Sequence, residues 1–295
     1  MTYQVADYRF EVVLPQGMEA EVLLPSFRDF VCQEVGSLLF RFDATAEVDG
    51  SAGMELLDES VNDMGHVRVW RTTEGYRIEA YHELEGRTHR LLSDREFREI
   101  QASIQWDDPY AGQMLSSLLR IAFSQAVLRE EGIGIHASAV VHAGKAYLFL
   151  GKSGTGKSTH ARLWLQHIPD TELMNDDNPA IRIKEGTAYA YGTPWSGKTP
   201  CYRNVCYPIG GIARLRQAPH NRFRQLNDVE AFMALLPGCM VIKKDTALYD
   251  ALCNKLTWLA EHVTIGMMEC LPEGEAAVLN VERLKINGER GKIND

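Results

Sequence analysis

The sequence lacks any apolar run approaching the ~20 residues that cross a bilayer. Its opening, MTYQVADYRFEVVLP, has no basic segment followed by an apolar stretch. Neither a membrane span nor a secretory leader is expected, and the cytoplasm is the expected location. Cysteine is scarce: six in 295 residues are too sparse for a disulfide framework. Positive charge is also short, with 31 Lys and Arg against 40 Asp and Glu and a net charge of −9. Without a basic footprint, nucleic acid is not the expected partner. There is no internal repeat and no low-complexity segment. What is present is a globular balance, 45% hydrophobic and 24% charged. At roughly 150 residues per domain, the length suits one large domain or two ordinary ones.

The first hundred residues read as strands. YRFEVVLP, AEVLLP and LLFRFDATAEV are β-branched or aromatic runs closed by Pro, Gly or Asp. HVRVWRTTEGYRIEAYHEL alternates on both sides of Thr73-Glu74-Gly75, which predicts a hairpin in an antiparallel sheet with one wet face. His66, His82 and His89 fall in this part and read as ordinary sheet or surface residues. Near Pro109 the period changes. Apolar residues at Ala111, Leu115, Leu118, Ala122, Ala126 and Val127 predict a helix from Ala111 to Glu130, ended by Gly132 and Gly134. The expected domains are 1–108, strand-rich and a candidate for selecting a partner, and 109–295.

The chemistry lies in the second part. Ala146-Tyr147-Leu148-Phe149-Leu150 is a continuous apolar run, as expected of a strand buried on both faces. Gly151-Lys152-Ser153-Gly154-Thr155-Gly156-Lys157-Ser158-Thr159 follows at once and matches G-x-x-x-x-G-K-[ST] in full. Ala161, Trp164, Leu165 and Ile168 then repeat at helical spacing. In such a loop the glycines turn backbone N–H groups inward around phosphate oxygens, and the helix N-terminus adds positive potential. Lys157 neutralises the β- and γ-phosphates, and the Ser158 hydroxyl holds Mg²⁺.

Asp176 and Asp177 stand at the end of a second strand, the latter twenty positions after Lys157. Beside the loop, one carboxylate would serve Mg²⁺ and its neighbour would face a phosphate acceptor. His136 opens an apolar strand that turns at His142-Ala143-Gly144-Lys145 into the loop strand; by itself it reads as a structural histidine. Downstream, a hairpin about Glu185-Gly186 leads into Thr193-Pro194-Trp195-Ser196-Gly197-Lys198. This Gly/Pro loop could bring Lys198 to the phosphates as a second cation, with Trp195 as its apolar anchor. Cys201 and Cys206 have no partner pair and read as free thiols. The arginines from Arg214 to Arg224, and Lys243-Lys244, read as solvated loop charge, with a basic patch as the alternative.

Taken in order, His136 fifteen residues before the loop, GKSGTGKS, and Asp176-Asp177 resemble the catalytic domain of HPr kinase/phosphorylase. That domain belongs to the larger group with the phosphoenolpyruvate carboxykinase nucleotide-binding fold. The resemblance covers roughly Gly132 to Asn280, and Cys270 to Val278 resembles its closing strand region. It implies an α/β fold, a mixed sheet with flanking helices, preceded here by the strand-rich part. It also implies that Lys157 is catalytic, that Asp177 accepts the acceptor's proton, leaving Asp176 to the metal, that His136 shares the site, and that Ser158 binds Mg²⁺. Two departures stand out: Thr159 occupies a position where that family usually carries Glu, and its Glu-Ile-Arg-Gly signature is absent.

The leading expectation is therefore ATP- and Mg²⁺-dependent phosphoryl transfer to a hydroxyl on a protein, peptide or small molecule, with oligomerisation left open. The nucleotide would be held by Gly151, Ser153, Gly154, Thr155, Gly156, Lys157, Ser158 and Thr159. The alternatives are a non-catalytic nucleotide-binding regulator and a carboxykinase-type enzyme.

Overall fold

The computed structural model of the chain describes residues 1–48, 55–62, 65–81, 87–197 and 199–290. Contacts divide it into two compact units: Met1–Glu130 with Val241–Ala251, and Glu131–Met240 with Leu252–Asp295. The compositional change lies near Pro109, whereas this division follows Glu130. The reason is the helix in between, whose Phe123 ring packs on Tyr8 and Phe10 of the first sheet.

The first unit holds β1 (Thr2–Val5), β2 (Tyr8–Val13), β3 (Phe40–Asp43), β4 (Glu55–Asn62), β5 (Gly65–Arg71), β6 (Gly75–Tyr81), β7 (His89–Asp94) and β8 (Glu99–Ser103). Their order is β1-β2-β3-β8-β7-β6-β5-β4. The expected hairpin is β5–β6, with Thr72 N–H donating to Gly75 O at 2.9 Å. Two expectations need correction. AEVLLP is not a strand: Ala20–Leu23 forms the short helix α1, which runs into a 3₁₀ turn over Pro25–Phe30. Nor is the sheet wholly antiparallel, because β3 runs parallel to both β2 and β8. The long connection from Val13 to Phe40 supplies the crossover that a parallel neighbour requires. Helix α2 (Ala111–Arg129) closes the unit, one residue short of the expected end.

The second unit is built on a nine-stranded mixed sheet. Its strands are β9 (Gly132–Gly134), β10 (Ala137–His142), β11 (Lys145–Leu150), β12 (Thr171–Asp177), β13 (Ala180–Lys184), β14 (Thr187–Tyr191), β15 (Cys206–Gln217), β16 (Arg222–Gln225) and β17 (Ile265–Cys270). The order β12-β10-β11-β15-β14-β13-β9 is extended by β17, which pairs with β15 and β16. Both expected hairpins form, and their turns carry positive φ at Ala143-Gly144 and Glu185-Gly186. Only β11–β15 and β15–β17 are parallel.

Helices α3 (Lys157–His167), α4 (Asp228–Leu235), α5 (Thr246–His262) and α6 (Gly274–Arg290) complete the fold. One sheet face carries Val140, Tyr147 and Phe149 against Ala161 and Trp164 of α3 and Leu284 of α6. Each such large apolar side chain contributes roughly 1.5–3 kcal/mol by burial. Of the late segment from Cys270 to Val278, only Cys270 lies in a strand; from Gly274 the chain is helical. The arginines from Arg214 to Arg224 also differ from expectation, since all four lie on β15 and β16 rather than in a loop. Among the described residues no helix is long and apolar enough to cross a membrane.

Candidate functional site

Three strand ends lie level at one edge of the second sheet. Ala137 of β10 pairs with Leu150 on one side and with Asp177 on the other. With strands ~4.8 Å apart, the residue before the loop and the second aspartate sit about 10 Å from each other. His136 precedes Ala137 and therefore stands between them. The strand bearing the aspartates is thus not next to the loop strand, since β10 separates them.

The loop from Gly151 to Gly156 turns on two glycines. Gly154 has φ of 79° and Gly156 of 106°, values that side chains with a Cβ rarely adopt. Thr155 braces the loop internally, its Oγ1 donating to Lys152 O at 2.7 Å. From outside, Gln217 Nε2 donates to Gly154 O at 3.2 Å. No side chain caps α3, so the N-terminal N–H groups are left to another acceptor. Ser153 and Ser158 are exposed and Thr159 is half-buried.

Lys157 is buried although it begins the helix. Its Nζ donates to Gly151 O at 3.2 Å and to His136 Nε2 at 2.8 Å. His136 Nδ1 lies 2.9 Å from Asp177 Oδ1. A carboxylate only accepts and an ammonium only donates. The imidazole thus links the lysine to the carboxylate. Asp177 Oδ2 accepts from Asn178 Nδ2 at 2.5 Å. The Asp177 backbone has φ of 149°, a conformation that costs on the order of 1–3 kcal/mol outside glycine. It is held by a turn in which Asn178 N–H donates to Asn175 Oδ1 at 2.9 Å.

Asp176 faces another way. Ser138 stands opposite Phe149 and two residues from Val140, hence on the sheet face covered by α3. Ser138 Oγ donates to Asp176 Oδ1 at 2.6 Å, which puts the Asp176 carboxylate on that face. A bulge causes this. Leu173 pairs with Val140 and Asn175 with Ala139, so Met174 is the extra residue and inverts the alternation beyond it. Asp176 is 2% exposed, and its Oδ2 has no hydrogen-bond partner among the described residues. An ionised carboxylate with a buried orphan oxygen needs a proton or a cation. That fits Mg²⁺ with Asp176 and Ser158 as the protein's ligands. No group of three or more His, Cys, Asp or Glu suited to a metal occurs among the described residues. A two-ligand site is the usual way to hold Mg²⁺, whose other ligands are phosphates and water.

The downstream loop is fastened to the same edge. Trp195 is buried, as an anchor should be. Asp177 and Ser196 form a backbone bridge, and Gly197 N–H donates to Asp176 O. A Cβ at Gly197 would lie 2.9 Å from that oxygen, so the approach needs glycine. Asn175, fully buried, donates to Trp195 O at 3.2 Å. Lys198 lies outside the described residues, as does His82. Among the described residues neither Cys201 nor Cys206 forms a disulfide.

The structure brings His136, Lys157 and Asp177 together and sets Asp176 on the α3 face beside Ser138. Sequence reasoning overlooked Ser138, Asn175, Asn178 and Gln217. The first three flank the aspartates in the chain or in register, but no motif marks them. Gln217 lies sixty residues past the loop and meets it only through the β11–β15 pairing.

No family model matches the chain, and no curated protein matches it. Among solved structures, the Hpr(Ser) kinase/phosphatase from Coxiella burnetii is similar over 55% of this chain and 99% of that one, with a TM-score of 0.30 and 12% identity. So distant a likeness carries no argument about activity. What the second unit does must be argued from its own residues.

Proposed function

We propose that this chain is an ATP-dependent, Mg²⁺-requiring phosphotransferase that acts on a hydroxyl of a protein, peptide or small molecule, in the manner of the HPr kinase-like proteins its motifs resemble. The observation that carries the reading is the continuous bridge Lys157–His136–Asp177, which ties a phosphate-loop lysine to a carboxylate at the next strand end but one. A loop used only to hold a nucleotide has no need of that carboxylate.

Each residue has a task. The N–H groups from Ser153 to Ser158 cradle the phosphates, and Lys157 exchanges His136 for a phosphate oxygen when nucleotide enters. Asp177 accepts the hydroxyl proton of the acceptor. Its two oxygens are met by His136 Nδ1 and Asn178 Nδ2, which orients the carboxylate. His136 holds the Asp177 carboxylate in place. Mg²⁺, when bound by Ser158 and Asp176, supplies charge neutralisation for the phosphates. Lys198, the residue after Gly197, is proposed as a second cation for the transferring group.

The test is incubation of the purified chain with γ-labelled ATP, Mg²⁺ and cell extract. Label transferred to an acceptor, and lost in Asp177→Asn, supports the reading. Tight ATP binding with no transfer makes the chain a nucleotide-binding regulator instead.

A further inference from the structure

The C-terminal edge of the second sheet carries a charge arrangement that the loop chemistry does not use. β15, β17 and β16 lie side by side, and their register sets two rows across the sheet: Arg216–Glu269–Arg222 and Arg214–Met267–Arg224. These residues share one face, since their neighbours Ala213, Leu215 and Met268 belong to the core on the other. Arg216, Arg222, Arg224, Met267 and Glu269 line a cleft of about 220 Å³.

The charges in the cleft do not balance. Arg224 is held by both oxygens of Glu230, at 2.9 and 2.7 Å. Arg216 pairs with Glu269, whose other oxygen lies 3.3 Å from His220 Nε2. The Arg222 guanidinium has neither a hydrogen bond nor an ion pair among the described residues, although Arg222 stands opposite Glu269 in the register. Of the residues that line the cleft, three are arginines and one is a carboxylate, with Glu230 holding Arg224 from outside the lining, a local surplus of positive charge in a chain of net charge −9. Like charges on neighbouring strands repel, so the surplus costs stability unless an anion fills the cleft. Guanidinium forks match the oxygens of a phosphate bidentately. Ligand pockets for drug-sized molecules occupy roughly 300–1,000 Å³. A cleft of about 220 Å³ has room for a phosphate group and a short attached fragment, and not for a nucleotide.

We propose that this cleft is a second anion site, distinct from the glycine-rich loop, which takes inorganic phosphate or the phosphate of a small monoester. It stands whether or not the loop binds ATP. It also lies beside that loop in the chain: Arg216 precedes Gln217, the residue that clasps Gly154 from outside.

The experiment is calorimetric titration with inorganic phosphate and, separately, with glycerol phosphate, at low salt. Lys157→Ala weakens the loop's contribution, and the difference that Arg222→Gln makes in that background reports the cleft. In that background, Arg222→Gln should weaken binding by about tenfold or more, the loss of one charge-assisted fork. Glu269→Gln should act in the opposite direction and tighten it several-fold, because Arg216 is released from its partner. Tighter binding of glycerol phosphate than of phosphate identifies a monoester as the ligand, and equal binding identifies phosphate itself. Arg222 is exposed on an edge strand, and an unchanged Tm confirms that the variant folds. The proposal is overturned if Lys157→Ala shows no saturable binding up to roughly 10 mM, or if Arg222→Gln changes the affinity by less than about twofold.

Discussion

Lys157 and Asp177 carry opposite charges on different elements and meet through one imidazole, that of His136, at 2.8 and 2.9 Å. The register of β10, which places Ala137 opposite both Leu150 and Asp177, sets that span. The bridge makes the site one unit, so the substitutions below have distinguishable signatures.

Lys157→Ala should weaken ATP binding or, where binding persists, reduce turnover by ~10²–10³, the scale for one preorganised charge-stabilising donor. Calorimetry and a turnover assay read the two effects separately. Wild-type affinity together with wild-type turnover would exclude the loop as the nucleotide site.

Asp177→Asn preserves the shape of the side chain but cannot take a proton. Turnover should fall by ~10²–10⁴ while Mg²⁺·ATP binding is largely kept. Asp176→Asn should instead weaken the Mg²⁺ dependence of nucleotide binding. If Asp177→Asn is fully active and Asp176→Asn is inert with normal Mg²⁺·ATP affinity, the two roles are reversed.

The loop after β14 touches the backbone of both aspartates. Gly197→Ala forces a Cβ to within 2.9 Å of Asp176 O and 3.2 Å of Asp177 Cβ, so the loop must move. Turnover should drop by about tenfold or more for a sub-ångström displacement, with nucleotide affinity little changed. Lys198→Met should lower kcat at constant Tm. Unaltered kinetics in both variants would make the loop scaffold alone.

Stability should respond to pH through His160. This histidine is a buried residue of α3, and Trp164 Nε1 donates to its Nε2 at 3.3 Å. Burial pushes its pKa down from 6.5 to about 4. The unfolded chain therefore binds the proton first. The contribution is complete above about 6.5 and is lost as pH falls toward 4, on the order of 3 kcal/mol in all. His160→Gln lacks a titrating group there. Urea unfolding at pH 7 and at pH 4.5 should show the wild type losing more stability than the variant. Equal losses would place the proton uptake elsewhere.

Much of the fold was legible because its signals are local. The run from Ala146 to Leu150, the glycines after it and the period through Ala161 and Trp164 specify strand, loop and helix within a short stretch, and β11 and α3 follow them. The same local reading failed for AEVLLP, where four apolar or small residues suit a strand but the chain forms a helical turn leading into Pro25. Leu165 fits the helical period yet stays exposed, because periodicity names a face and not what covers it.

By itself, then, the sequence determined the chemical parts: a complete G-x-x-x-x-G-K-[ST] match, a histidine upstream and two adjacent carboxylates downstream, each a matter of residue type and spacing. Which carboxylate faces which way was decided only in three dimensions. From Leu173, strict alternation would have sent Asp177 to the α3 face and Asp176 to the other. The extra residue Met174 in β12 exchanges them, so Asp176 meets Ser138 and Asp177 meets His136. A bulge arises from pairing with another strand, and β10 lies thirty residues away in the chain, so its physical cause is absent from any local stretch of residues.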